Sequence, residues 1–269
     1  MNNKKKYYFA TNDLNIAAEI NEFKFLEYSK FIKMLSPLNP ILDIYKIVQL
    51  QYKLLNYTPY IVDNLPIMNE NSSGLAYSSI TIYIIVNRIF IDNCKSFRDR
   101  LPSIEINKEI QHYEKLDSEE NLRVLRNYAV HTSSPITGLN LMFESTPKSS
   151  TASMDPIINK SKMAGDLNRH DQKVIKAWVN GELHIMPELH DANITITGLY
   201  KSIIRKFIDK KCPNSSLKLI KSDKKIWTNT LLPSRTRGVF KTVNNSCVTA
   251  KYIDSLLLKT AISYILKIK

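Results

Sequence analysis

The chain contains very little cysteine and glycine. Its 269 residues include 3 cysteines and 6 glycines, and no two cysteines form a C-x-x-C pair. A small, odd number of scattered cysteines argues against a disulfide scaffold and fits a reducing compartment. The scarcity of glycine disfavours a glycine-rich phosphate-binding loop, and the G-x-S-x-G and H-E-x-x-H motifs are also missing. We therefore expect neither a disulfide-stabilised secreted protein nor a hydrolase of these motif classes.

Long apolar segments are missing as well. The most apolar stretch, residues 75–91, includes Ser78, Ser79, Asn87 and Arg88, so it is too short and too polar to span a bilayer. The basic residues near the start are not followed by the apolar core of a signal peptide. The sequence thus predicts a cytoplasmic protein without a membrane partner, in which residues 75–91 form a buried helix.

Acidic side chains are scarce in one region only. Residues 1–200 contain 22 basic and 22 acidic residues, whereas residues 201–269 contain 16 basic and 3 acidic residues. The last quarter therefore carries the whole formal net charge of +13. A block of this charge suits an anionic partner such as nucleic acid or a membrane surface, and a solvated face on an ordinary helical tail is the alternative.

Cations of this basic block alternate with the aromatic residues Phe207, Trp227 and Phe240. Cations can hold the phosphate backbone of a nucleic acid while aromatic rings stack on its bases. Of the two tryptophans, Trp178 and Trp227, we expect core residues rather than rings that stack on a ligand. The cations predicted to bind nucleic acid are Lys210, Lys211, Lys224, Lys225, Arg235 and Arg237.

The spacing of apolar residues predicts a mainly α-helical chain. Asp13 is suited to cap a first helix that includes Ile16 and Ile20, and Pro37 and Pro40 end it. Further helices are predicted after Pro40 and at residues 75–100, 118–131, 166–178, 194–207 and 252–268. Short strands are predicted at 139–143 and 156–158, on either side of a Ser- and Thr-rich surface loop at 145–153.

The sharpest chemical feature is the segment RNYAVH, residues 126–131, at the end of an apolar helix. The Arg126 guanidinium offers fixed donors that suit a phosphate, and His131 can exchange a proton near neutral pH. On an ideal helix, five residues separate two side chains by about 140° in rotation and about 7.5 Å along the axis. Arg126 and His131 therefore converge only if the helix frays or a second copy completes the site. A structural ion pair for Arg126 and a helix-end role for His131 are the alternative.

This segment resembles the signature of the HEPN family (higher eukaryotes and prokaryotes nucleotide-binding domain), which is R-x(4–6)-H with a polar residue often following the arginine. Arg126, Asn127 and His131 match it, and residues 86–99 resemble the long helix that precedes the motif in some subfamilies. The resemblance implies an up-and-down helical bundle over residues 1–210, with a small β-containing insertion at about 136–165. Residues 211–269 then form a basic C-terminal extension that ends in an amphipathic helix.

The resemblance also implies a metal-independent endoribonuclease that works as a homodimer and needs no cofactor. His131 would transfer protons, Arg126 would stabilise charge on the phosphoryl group, and Asn127 would orient the pair. The products would carry a 2′,3′-cyclic phosphate. Such proteins serve in toxin–antitoxin, abortive-infection and antiviral systems, which implies an antitoxin or another protein partner. The position that some members modify on a tyrosine is Ser133 here, so nucleotidylation at that position is not expected.

Two other functions remain open. The chain could be a catalytically silent HEPN protein that binds or scaffolds nucleic acid, or an interaction protein whose C-terminal helix docks a partner. Asn87 and Arg88 lie in an apolar helix, so they either hydrogen-bond within the bundle or line the nucleic-acid cleft beside Arg126.

Three further histidines carry weaker predictions. His184 and His190 could ligate a metal, but we expect surface residues and no metal site, because no second cluster completes four ligands. The pair His170-Asp171 lies in a polar stretch and is expected to be solvated.

Overall fold

A computed structural model describes residues 5–11, 16–57, 70–100, 104–132, 134–146, 149–163, 165, 167–225, 227, 237–244 and 246–267. The chain divides into two compact units. The terminal unit comprises Met1–Leu42 and Lys201–Lys269, and the central unit comprises Asp43–Tyr200.

The described residues form helices and short antiparallel sheets, so the predicted mainly α-helical class is confirmed. The helices are α1 (Glu22–Leu35), α2 (Asn39–Tyr57), α3 (Glu70–Arg100), α4 (Ile104–Glu114), α5 (Asp117–His131), α6 (Lys160–Met163), α7 (Arg169–Lys176), α8 (Ile185–Lys211), α9 (Asn214–Ser222) and α10 (Ser255–Leu266). The strands are β1 (Lys5–Thr11), β2 (Ile16–Ile20), β3 (Gly138–Thr146), β4 (Ser149–Asn159), β5 (Glu182–His184), β6 (Arg237–Val243) and β7 (Ser246–Ile253). Within these residues, no helix is long and apolar enough to cross a membrane.

The terminal unit is built on a four-stranded antiparallel sheet with the strand order β2-β1-β6-β7. Side chains alternate along a strand, so Tyr7 and Phe9 of β1 share one face. That face contacts α1, where the Phe9 and Tyr28 ring centroids are 6.0 Å apart. The Trp227 ring lies 4.7 Å from Phe9 and 5.1 Å from Tyr28, and all three side chains are buried. This aromatic cluster is the core of the unit.

The prediction of a helix over Ile16 and Ile20 is wrong. These residues form β2, which pairs with β1 through Ile20 opposite Tyr7, and the helix begins only at Glu22. The Asn21 side chain caps it by accepting a hydrogen bond of 2.8 Å from the Lys24 backbone N–H. Ile20 is buried and Glu19 is exposed, which is the period-two pattern of a strand. The proposed cap Asp13 lies outside the described residues.

The C-terminal region contains a β-hairpin that the sequence did not predict, followed by the predicted helix. Strands β6 and β7 place Gly238 opposite Tyr252. A Cβ atom at position 238 would contact the Lys251 carbonyl and lie 2.9 Å from the Tyr252 Cα atom, so glycine is required by close approach of the two strands. Helix α10 begins after Asp254, whose side chain accepts from the Leu256 N–H at 2.8 Å. Its apolar stripe, including Leu257 and Ile262, is buried within the chain.

The central unit is formed mainly by helices, with a three-stranded sheet of order β3-β4-β5. Residues 75–91 are helical as predicted, but only one face of the helix is buried: Ile80, Ile84 and Phe90 have no exposed surface, whereas Ile82 and Ile89 are 44% and 41% exposed. The Tyr45 and Tyr200 rings stack with their centroids 4.0 Å apart and an interplanar angle of 2°. The up-and-down arrangement expected from the HEPN resemblance stays a prediction.

The region after the motif forms a longer hairpin than predicted. Strands β3 and β4 pair in register from Gly138 opposite Ile157 to Thr146 opposite Ser149, so most of the predicted loop at 145–153 is strand. Backbone pairing can proceed without apolar side chains, and threonine fits a strand well.

The division between the units falls inside α2 and α8, and the predicted domain boundary at 210 also lies in α8.

Candidate functional site

Helix α5 positions the motif residues of the central unit. Asp117, Glu119 and Glu120 lie in its first turn, where negative charge on Asp117 and Glu120 complements the helix dipole. Leu122 and Leu125 are buried, whereas Arg126 and Asn127 on the neighbouring face are partly exposed. The α-helix continues to His131, which is exposed. The sequence therefore places the motif on a regular helix with one buried face.

Arg126 is attached to a buried carboxylate through Asn127. The Arg126 Nη1 atom donates to the Asn127 Oδ1 atom at 3.1 Å, and the Asn127 Nδ2 atom donates to the Asp171 Oδ2 atom at 3.4 Å. Asp171 lies on α7 and is only 1% exposed. The Asn127 amide nitrogen bonds to Asp171 and the amide oxygen bonds to Arg126. Since the nitrogen can only donate here, the bond to Asp171 directs the amide oxygen toward the arginine. The network thus restricts the Arg126 guanidinium.

Two further side chains hold Asp171. The Arg123 Nη1 atom donates to its Oδ1 atom at 2.7 Å, and the Asn168 Nδ2 atom donates to its Oδ2 atom at 2.7 Å. Asn168 also caps α7 by accepting from the backbone N–H groups of His170 and Asp171, each at 2.9 Å. The buried charge is therefore paired and hydrogen-bonded, as a buried carboxylate requires.

The prediction that His170-Asp171 is solvated is wrong for Asp171 and correct for His170, which is exposed. Two sequence signals point to a structural aspartate. Asn168 and Asp171 have the spacing of a helix cap and its third helical position. Arg123 and Asn127 are four residues apart, so they share one face of α5 and can reach one acceptor.

Arg126 and His131 are not brought onto one face of the helix. The Thr132 backbone N–H donates to the Tyr128 carbonyl at 2.9 Å, so the helix is intact through the histidine. With regular geometry the two side chains differ by about 140° in direction. The sequence allowed two ways to bring Arg126 and His131 into one site. Fraying of the helix end is not observed, so a second copy of the chain would have to complete the site.

Asn87 follows the first of its two alternatives. It is 1% exposed, and its Nδ2 atom donates to Glu119 Oε1 at 3.4 Å inside the central unit. The Arg88 guanidinium forms ion pairs with Glu114 at 3.0 Å and Asp92 at 3.1 Å. Binding of nucleic acid by Asn87 would require it to leave the core, and binding by Arg88 would compete with its two carboxylates.

Glu119 is the buried acid of this region. Burial raises its pKa to about 7, although the Asn87 hydrogen bond and the charge of Arg88 act in the opposite direction. The same burial, together with the nearby Glu119, raises the pKa of Tyr83 well above its ordinary value. The interior between α3 and α5 therefore favours the neutral form of both groups.

His184 and His190 have separate partners. The His184 Nδ1 atom is 2.6 Å from Asp155 Oδ2, and the His190 Nδ1 atom is 2.7 Å from the Tyr52 hydroxyl. Among the described residues, no three His, Cys, Asp or Glu side chains are grouped as they would be to hold a metal ion. A cavity of about 610 Å³ beside His184 is lined by four carboxylates and only one lysine, so it does not suit RNA.

The cations predicted to bind nucleic acid occupy several elements of the terminal unit. Lys210 and Lys211 are exposed at the end of α8, and Lys224 and Lys225 are exposed after α9. Arg237 is the first residue of β6, and Arg235 lies outside the described residues. Their role in binding nucleic acid stays a prediction.

The predicted stacking of aromatic rings on bases is wrong, whereas the prediction that Trp178 and Trp227 are core residues is confirmed. Phe207 and Phe240 are each 4% exposed and Trp227 has no exposed surface, so these rings are core residues and cannot stack on bases. Alternation with lysine in the sequence could not distinguish a buried aromatic stripe from an exposed one.

No protein-family model matches the chain, and comparisons with curated proteins and with solved structures also give no match. Inference about function therefore begins from the side chains themselves.

Proposed function

We propose that this protein is a metal-independent endoribonuclease of the HEPN type, acting in bacterial antiviral defence or in a toxin–antitoxin system. The observation that carries the proposal is the chain of hydrogen bonds from the buried Asp171 through Asn127 to Arg126. A partly exposed guanidinium that is held in place suits an anionic phosphoryl group. His131 is exposed five residues further along the same helix.

The chemistry requires two proton transfers and one displacement at phosphorus. The ribose 2′-oxygen attacks the adjacent phosphorus, the P–O5′ bond breaks, and a 2′,3′-cyclic phosphate and a 5′-hydroxyl form. The 2′-hydroxyl loses a proton and the leaving 5′-oxygen gains one, and His131 serves in one of these two transfers. Arg126 stabilises the charge on the non-bridging oxygens, and Asn127 orients Arg126. Asp171 is a positioning residue, because it acts only through Asn127.

The divergence of Arg126 and His131 supports a homodimer. An active site that takes Arg126 from one chain and His131 from a second chain does not require the two side chains of one helix to converge. Mixing inactive Arg126→Ala and His131→Ala chains should then restore activity, to roughly a quarter of that of the wild type when the chains pair at random. A mixture that stays inactive while mixed dimers form would contradict the shared site.

The catalytic roles are tested by RNA cleavage with purified chains. We expect Arg126→Ala and His131→Ala each to lower the cleavage rate by about a hundredfold or more, because each removes a group that acts in the transition state. His170→Ala and Arg169→Ala are matched controls, since both residues are exposed on α7 of the same unit, and they should retain the wild-type rate. Equal loss in variants and controls would contradict these roles.

A second function is favoured by the charge of the terminal unit, which holds 22 basic and 7 acidic residues. A catalytically silent protein that binds RNA would keep its affinity in His131→Ala and show a steep decrease of affinity with salt. The third function, docking of a partner by the C-terminal helix, loses most of its support because five apolar residues of α10 are already buried within the chain, namely Leu257, Leu258, Ala261, Ile262 and Ile265.

A further inference from the structure

The terminal unit contains a basic cleft formed by α8, α9 and α10. Its volume is about 410 Å³, and its lining residues are Arg205, Ile208, Asp209, Leu217, Lys221, Ser263, Tyr264, Ile265 and Lys267. We propose that this cleft binds a small organic phosphate, with the phosphate group held by Arg205, Lys221 and Lys267. The proposal does not depend on the ribonuclease function, because it concerns a different unit of the chain.

Three cations face the cleft against one carboxylate, that of Asp209. Within the described part of the chain, Lys221 and Lys267 form no ion pair, and both are exposed. Two cations of the same unit outside the cleft do form ion pairs, Lys24 with Asp223 and Lys30 with Glu27. The cleft, with three cations and one carboxylate, carries a net positive charge, which favours an anion.

The carboxylate of Asp209 is already engaged. It accepts a hydrogen bond of 2.5 Å from the Tyr264 hydroxyl. Burial, together with this bond, raises the pKa of Tyr264 to about 12, so the hydroxyl remains a donor to Asp209 at neutral pH. The Arg205 guanidinium lies 5.4 Å from the centroid of the Tyr264 ring, which holds it by a cation–π contact. Asp209 therefore holds the ring on which Arg205 rests.

The floor of the cleft is apolar. Ile208 and Ile265 are buried, and Leu217 is partly exposed beside them. Small-molecule sites combine an apolar lining with a few polar groups that fix orientation. Inorganic phosphate would leave this lining uncovered, whereas a phosphate ester with an organic body could cover it. The Arg205 guanidinium offers donors in a fixed planar geometry, and the lysine ammonium groups act as point charges, so together they suit a phosphate group.

The experiment is isothermal titration of the full chain at low salt with adenosine 5′-monophosphate, ribose 5-phosphate, adenosine and inorganic phosphate. We expect saturable binding of the two phosphate esters, and binding of adenosine and of inorganic phosphate that is weaker by about tenfold or more. Esters that bind no more tightly than inorganic phosphate would overturn the proposal of an organic ligand. Adenosine that binds as tightly as its monophosphate would overturn the role of the cations.

A charge-matched pair of double variants locates the binding. Arg205→Gln with Lys221→Gln should weaken binding of the esters by about tenfold or more, because each change removes a positive charge that strengthens the hydrogen bonds to phosphate. Lys33→Gln with Lys251→Gln removes the same charge from exposed positions of the same unit that do not line the cleft, and should change the affinity by less than about twofold. Equal losses in the two double variants would show delocalised attraction and overturn the site.

A single-stranded RNA oligonucleotide provides the remaining arm. The proposal expects adenosine 5′-monophosphate to bind whether or not the oligonucleotide does. If only the oligonucleotide binds, and if the Arg205→Gln, Lys221→Gln variant loses that binding, the cleft is a contact for the RNA backbone and the small-ligand proposal is wrong.

Discussion

The two units of this chain differ in charge, although each of them buries a carboxylate, Glu27 in the terminal unit and both Asp171 and Glu119 in the central unit. The terminal unit holds 22 basic and 7 acidic residues, and the central unit holds 16 basic and 18 acidic residues. The central unit contains the buried carboxylates Asp171 and Glu119, and the motif residues are attached to the first of these. The terminal unit therefore has the larger positive charge to attract an anion, whereas the residues proposed to cleave RNA lie in the central unit.

Each unit contains one of the two tryptophans, which allows the units to be followed separately. Trp178 of the central unit donates to Asn121 at 3.0 Å, and Trp227 lies in the aromatic core of the terminal unit. Replacing either one by phenylalanine leaves a fluorophore in the other unit. In such a single-tryptophan background, the fluorescence change on unfolding is assigned to one unit.

The largest expected effect is in the terminal unit. Gly238→Ala should lower the free energy of unfolding by at least about 4 kcal/mol, because the new methyl group would meet the backbone of Lys251 and Tyr252. Gly74→Ala in α3 is the control, since its Cβ would meet nothing within 4 Å and alanine favours a helix. Urea unfolding followed at Trp227 measures the effect. A loss as small as in the control would contradict the observed strand pairing.

The next effect is in the central unit. Asp171→Ala should lower the free energy of unfolding by about 3 kcal/mol, because it leaves the Arg123 charge without its buried partner. The unfolding is followed at Trp178, and Asp191→Ala, at an exposed position of α8, serves as the control. Asp171→Asn should also slow RNA cleavage if Asp171 positions Asn127. Unchanged stability would contradict the buried network.

Glu119 should make the central unit less stable as the pH rises. Its pKa is raised from 4.5 to about 7, so between these values the folded protein binds a proton that the unfolded chain has lost. The stabilisation is complete below pH 4.5 and is lost as the pH rises through 7, a change of about 2 to 3 kcal/mol.

Glu119→Gln should remove this dependence, and the exposed Glu19→Gln should not. The measurement is urea unfolding at several pH values between 4.5 and 8. A wild type whose stability rises relative to Glu119→Gln over this range would contradict the assignment of a buried neutral acid.

The smallest expected effect concerns RNA affinity. Lys211→Gln in the terminal unit should lower the slope of log affinity against log salt by about one if Lys211 contacts a phosphate. Lys53→Gln, at an exposed position of the central unit, should leave the slope unchanged. If Lys211→Gln and Lys53→Gln gave the same slope of log affinity against log salt, the prediction that RNA binds to the terminal unit would be contradicted.

The sequence predicted the elements whose signal is local. The apolar period of α3, the cluster of acids at the start of α5 and the stripe of α10 indicated helices close to their observed bounds. Strand β2 was predicted as part of a helix because Ile16 and Ile20 are four residues apart, a spacing that fits one face of a helix and also one face of a strand. Its sheet is completed by β6, more than 200 residues away, and pairing over that distance leaves no local pattern.

The candidate site was predicted in part for the same reason. The motif on α5 is contiguous, so Arg126, Asn127 and His131 could be found from the sequence. Asp171 lies 44 residues beyond Asn127, and its burial depends on the packing of α7 against α5. Local polarity indicated a solvated aspartate, whereas tertiary packing made it the centre of the network.

The most direct test of the proposed reaction is the chemistry of the cut ends. Wild-type protein and His131→Ala are incubated with total RNA in EDTA, and the termini of the products are mapped. The account predicts cleavage by the wild type alone, with 2′,3′-cyclic phosphate and 5′-hydroxyl ends. Cleavage that EDTA abolishes, ends that carry a 5′-phosphate, or equal cleavage by His131→Ala would contradict it.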